Sequence, residues 1–109
     1  MNVEKYAKAM GLTALTNCRQ DKTITDAYIG DLLSVVMGNC DEGNVWITVQ
    51  THPNILTVAD LNDVACVVIA GDTAVEQSLI DKAEDLDVCL FKSEMEAYEL
   101  AWRTHEVLK

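Results

Sequence analysis

Three apolar runs spaced about twenty residues apart constrain this chain more than any other feature: "VWITV" at 45–49, "ACVVIA" at 65–70 and "DVCLF" at 87–91. They are continuously apolar, with little alternation, which marks strands buried on both faces, as in parallel sheets. A helical segment at about 53–61 follows the first run, and helix-start signals follow the other two. A strand–helix series of this kind implies right-handed crossovers between parallel strands. The fold class expected is therefore α/β, a three-layer sandwich with a mainly parallel sheet covered by helices on both faces.

The earlier residues extend this series. Residues 2–10 set Val3, Tyr6, Ala7 and Met10 on one helical face, and Gly11 supplies a stop. "LTAL" at 12–15 reads as a short strand and "TNCRQDK" as a polar connection. "TITDAYIG" at 23–30 reads as a second strand interrupted by Asp26, and "DLLSVVM" as a helix from Asp31 to near Gly38. Further on, Thr73 with Glu76 and Ser93 with Glu96 match the capping box that opens a helix. The first of these helices would turn Val75, Leu79, Ala83 and Leu86 inward, the second Met95, Tyr98, Trp102 and His105. Glu99 and Arg103, four apart, form a pair on the wet face of the last helix.

A chain of 109 residues, half of them hydrophobic and with a single proline, suits one domain, 1–109, folded throughout. Its formal charge of −10 and lack of any Lys/Arg cluster argue against nucleic acid and anionic membrane surfaces as partners. The same charge favours basic protein partners. No apolar run reaches the ~20 residues that span a bilayer. The start, "MNVEKYAKAM", lacks the apolar centre of a signal peptide, so a cytoplasmic location is expected. Cys18, Cys40, Cys66 and Cys89 are far apart in sequence, with no C-x-x-C pair. That spacing suggests no metal site and four buried or idle thiols.

In "DLLSVVM", Leu32, Leu33, Val35, Val36 and Met37 surround a helix rather than lining one side. A helix apolar all round is buried on more than one side. In so small a domain one side faces the core and the other suits a second copy, so a homodimer interface is expected here.

The candidate ligand site is the junction "VQTHPN". There Gln50, Thr51, His52 and Asn54 cluster between a strand and a helix, where open α/β sheets bind ligands and helix starts attract anions. In the alternative reading, Thr51 caps the helix, Pro53 sets its first turn and His52 bonds to backbone. Asp31 and Ser34 either face the same crevice or cap a short helix. Gly71 and Asp72 form a further turn after a strand. No catalytic constellation and no cofactor motif is present: a G-x-x-x-x-G-K-[ST] loop and a G-x-G-x-x-G turn are both missing. Cys18 or Cys40 could serve His52 as nucleophile only if the fold brought them together. His105 sits on the last turn of a helix, where positive charge suits the dipole.

The blocks "DLLSVVMGN" and "WITVQTHPNI", in this order and followed by the same strand–helix rhythm, resemble stand-alone members of the DRTGG domain family. Asp21, Lys22 and Thr25 are similar to the start and the threonine of the naming motif, while Asp26 and Ala27 stand where its two glycines are expected. The resemblance implies a small α/β module with a regulatory or dimerising role. Related domains lie beside nucleotide-sensing CBS modules in some pyrophosphatases, and short members resemble accessory proteins of anaerobic bacteria. A small anionic ligand is a further expectation, although glycines permit close approach to backbone and Asp26 would repel a phosphate.

Overall fold

A computed structural model describes residues 1–109. Five helices and five strands make up the chain, alternating from β2 onward. They are α1 (Val3–Met10), β1 (Thr13–Ala14), β2 (Asp26–Ile29), α2 (Leu33–Asn39), β3 (Asn44–Thr48), α3 (Asn54–Leu61), β4 (Cys66–Ile69), α4 (Gln77–Leu86), β5 (Leu90–Lys92) and α5 (Ala97–Leu108). The sheet order is β1-β5-β4-β3-β2. Strands β2 to β5 are parallel, and β1 pairs antiparallel with β5 through Thr13–Lys92 and Ala14–Phe91. The sheet is thus mixed and mostly parallel.

From β2 to β5 each strand is laid beside the last in one direction, so crossovers of one hand carry their helices to a common side. The core residues bear this out. Val36 of α2, Leu56 of α3 and Leu79 of α4 gather with Trp46, Val67, Ile69 and Leu90. The alternate strand residues Val45, Ile47, Cys66, Val68 and Phe91 join a second cluster with Val3, Tyr6 and Met10 of α1 and Leu100 of α5. That division follows from the two-residue period of a strand. All five residues of β3 are buried, Trp46 completely, and its indole N–H donates to the Gly30 carbonyl at 2.9 Å. A side chain of that size, fully buried, stabilises the fold by roughly 3 kcal/mol.

Several local expectations are corrected. Neither capping box forms. The Thr73 hydroxyl donates to the Ala70 carbonyl, Ser93 Oγ accepts from the Met95 N–H, and the helices begin later, at Gln77 and Ala97. On α5 the inner side is Leu100 and Thr104, whereas Tyr98 and Trp102 are exposed and the Arg103 guanidinium stacks on the Trp102 ring at 4.9 Å. The Tyr6 hydroxyl explains the buried threonine, because it shares a 2.7 Å hydrogen bond with Thr104. Burial raises the Tyr6 pKa far above its usual value, the hydrogen bond to Thr104 opposing the shift. The four cysteines are not all free: Cys18 and Cys89 are joined as a disulfide, and only Cys40 and Cys66 remain thiols, both buried.

Candidate functional site

The chain after β3 turns from extended to helical over Val49–Pro53. The structure brings Asp31 to this turn. One carboxylate oxygen, Oδ1, accepts from the Thr48 hydroxyl at 2.7 Å and from the Val49 N–H at 2.9 Å. Thr48 Oγ1 in turn accepts the Gln50 N–H at 3.1 Å. Asp31 is therefore not a helix cap: the N-cap of α2 is Leu32, with no side-chain bond. Asp31 and Gln50 do come together, but through a latch that fixes the end of β3.

His52 Nδ1 accepts the Asn54 N–H at 3.1 Å, so this ring nitrogen caps the first turn of α3. The imidazole takes the role expected of Thr51, which is half-buried beside it. Ser34 lies exposed on the first turn of α2, Pro53 occupies the N-cap of α3, and Asn54 opens that helix. The four main cavities are lined by residues other than Gln50–Asn54. The parallel strands also advance without reversing their order, so the sheet has no topological switch point at β3.

Two cavities, the largest among them, sit instead beside the segment 22–29, where the chain departs from the resembled motif. One, of about 390 Å³, lies between β2 and α5. The other, of about 320 Å³, is lined by no hydrophobic residue and includes Lys22, Thr25, Glu42 and Asp63, with Lys22 and Asp63 paired at 3.3 Å. The sequence offered one signal for them, Asp26 interrupting a strand. Gly71 and Asp72 form a left-handed turn whose N–H groups donate to Met95 and Ser93, tying β4 to the end of β5.

The apolar segment divides. Val36 is fully buried and Leu33 packs against the core, while Leu32, Val35 and Met37 are 67%, 45% and 50% exposed. No three His, Cys, Asp or Glu residues stand close enough to hold a metal ion, and no helix is long and apolar enough to cross a membrane. Burial pushes the Cys40 thiol up to about 11 and that of Cys66 to about 12, leaving both as neutral, unreactive thiols near pH 7.

These features define a small, singly wound α/β module with a latched strand–helix junction. No protein-family model matches the chain, and no curated protein matches it. Among solved structures it is similar to the CBS and DRTGG domains of the regulatory region of Clostridium perfringens pyrophosphatase, complexed with the activator diadenosine tetraphosphate. The TM-score is 0.71 at 8% identity, over 94% of this chain and 45% of that one. The chain thus spans less than half the length of the structure it matches, and likeness at that identity concerns the fold alone.

Proposed function

We propose that this chain is a non-catalytic regulatory and protein-interaction module of the DRTGG type, a three-layer cytoplasmic α/β domain that works as a homodimer. The observation that carries this reading is the outward side of α2. Leu32, Val35 and Met37 lie exposed there, with Leu61 exposed at the end of α3, next to the Asn62 that bonds to the Met37 carbonyl. Between Ala27 and Cys40 the only charged side chain is Asp31, whose Oδ1 is occupied by Thr48 and Val49. In a chain of charge −10, such a face is where two copies meet with least repulsion. The same patch on each copy would make a two-fold, isologous contact. The fold likeness to a regulatory region supports the role.

Sedimentation velocity tests it. The wild type is expected to sediment as a dimer, and Val35→Asp, an exposed position, as a folded monomer with an unchanged circular dichroism spectrum. A clean monomer at high micromolar concentration removes the structural basis of the reading.

A second reading is a sensor that binds a nucleotide or other anion at Gln50–Asn54. The observation favouring it is that the pyrophosphatase region was captured with a nucleotide activator. At a ligand concentration of ~100 Kd, stability should rise by roughly 2.7 kcal/mol. No thermal shift with a panel of nucleotides, or the same shift in His52→Ala, counts against that site.

A further inference from the structure

The largest cavity, about 390 Å³, involves none of the residues invoked for dimerisation through α2 or for the Gln50–Asn54 sensor. Its volume falls in the lower part of the ~300–1,000 Å³ range of small-molecule sites. Ile47 of β3 with Ala101 and Leu108 of α5 gives it an apolar body. The polar groups come from two places, Thr25 and Asp26 at the start of β2 and His105 and Lys109 at the end of α5. A cavity apolar in its body with a few polar groups fits a ligand of the same build: a short hydrocarbon or aromatic body carrying one polar head.

The charges decide the sign of that head. Asp26 Oδ1 accepts the Ala27 N–H at 2.8 Å, and its second oxygen has no hydrogen-bond partner in the protein. The Lys109 ammonium, the one fixed positive charge in the lining, lies 3.8 Å from the Glu106 carboxylate, which offsets it. The last turn of α5 adds the partial negative charge of its unpaired carbonyls. The Thr25 hydroxyl oxygen can accept a hydrogen bond from an N–H donor, so it does not oppose a cation. With the whole molecule at −10, the potential here favours a cation. We propose that this cavity binds a small organic amine, its apolar body against Ile47 and Ala101 and its ammonium on the free oxygen of Asp26.

Three probes separate body from charge: 2-phenylethylamine, 3-phenylpropionate with a like body and the opposite charge, and ethylamine with the charge and almost no body. Calorimetric titration of the full chain should give saturable binding for 2-phenylethylamine alone, with amide NMR shifts confined to residues 25–29, Ile47 and the second half of α5. Asp26→Asn keeps an oxygen for the Ala27 N–H and removes only the charge, and it should weaken the amine by about tenfold or more, as loss of a charge-assisted contact does. Ala101→Phe should fill the cavity and abolish binding. If that variant fails to fold, Asp26→Asn decides. Equal binding of the carboxylate, unchanged affinity in Asp26→Asn, shifts elsewhere on the chain, or no binding of the amine at millimolar concentration would each overturn the proposal.

Discussion

A single oxygen of Asp31 takes two donors, the Thr48 hydroxyl and the Val49 N–H, and Thr48 is 1% exposed. Hydrogen bonds to a charged acceptor are stronger than neutral ones, and removing the acceptor strands the buried Thr48 hydroxyl at a cost of about 1–3 kcal/mol. Asp31→Ala should therefore lower the unfolding free energy by about 2 kcal/mol, and Asp31→Asn by less because an oxygen remains. Urea denaturation measures this as a fall in midpoint at constant slope. A wild-type midpoint in Asp31→Ala would mean that the latch contributes nothing. From the sequence, Asp31 and the Gln50 cluster could be suspected of meeting, since both flank apolar elements. Which atoms meet could not be read, because a carboxylate before a helix suits a cap as well as a latch. His52 shows the same limit. The ring beside Asn54 could bind backbone or ligand, and only the fold directs its Nδ1 to the N–H two residues on.

Helix α2 is only seven residues long and has no side-chain cap at its start. It is held by Val36 in the core and by Asn62, whose amide donates to the carbonyls of Met37 at 3.0 Å and Cys40 at 2.8 Å. These are the carbonyls that a helix end leaves without partners. Asn62→Ala should unfasten the end of α2, so amide exchange over 36–40 should quicken about tenfold while β3–β5 stay protected, the local cost being about 1–2 kcal/mol. Uniform loss of protection would instead mean that α2 opens only with the whole domain. Elements of this kind were legible where one period dominated. The continuous runs at 45–49 and 65–70 became β3 and β4, and the stripe Val3, Tyr6, Ala7, Met10 became the buried side of α1. The last helix was misread because two stripes compete on it. Tyr98 and Trp102 are the larger hydrophobes, yet Leu100 and Thr104 turn inward, and Thr104 is acceptable there only because Tyr6, 98 residues away, supplies its partner. The antiparallel pairing of β1 was hidden for a similar reason, since it depends on β5 arriving beside it from the far end of the chain.

At the scale of the whole molecule, the Cys18–Cys89 disulfide joins the connection after β1 to the residue before β5. Its Cα atoms are 5.3 Å apart, within the ordinary range for a bridge, and it closes a loop across 71 positions. In the chain-entropy model a loop of that length stabilises the native state by about 4 kcal/mol. The fold does not depend on it alone, because the same connection is also tied by Thr16, whose hydroxyl donates to the Val88 carbonyl and accepts the Leu90 N–H, and by the Asn17 N–H on Glu84. Reduction should accordingly leave the native circular dichroism spectrum intact while lowering the unfolding free energy by about 4 kcal/mol, and Cys18→Ser should match the reduced wild type. Thiol titration provides an independent count. The native chain should react slowly, since Cys40 and Cys66 are buried with raised pKa values, the denatured unreduced chain should show two thiols and the reduced chain four. A cytoplasm kept reducing opposes such a bridge, so the proposed location and the bridge pull in opposite directions. Alkylating the chain in intact cells before lysis weighs them: four modified cysteines after denaturation mean that the cell holds the less stable, reduced form, whereas two mean that the bridge withstands the compartment.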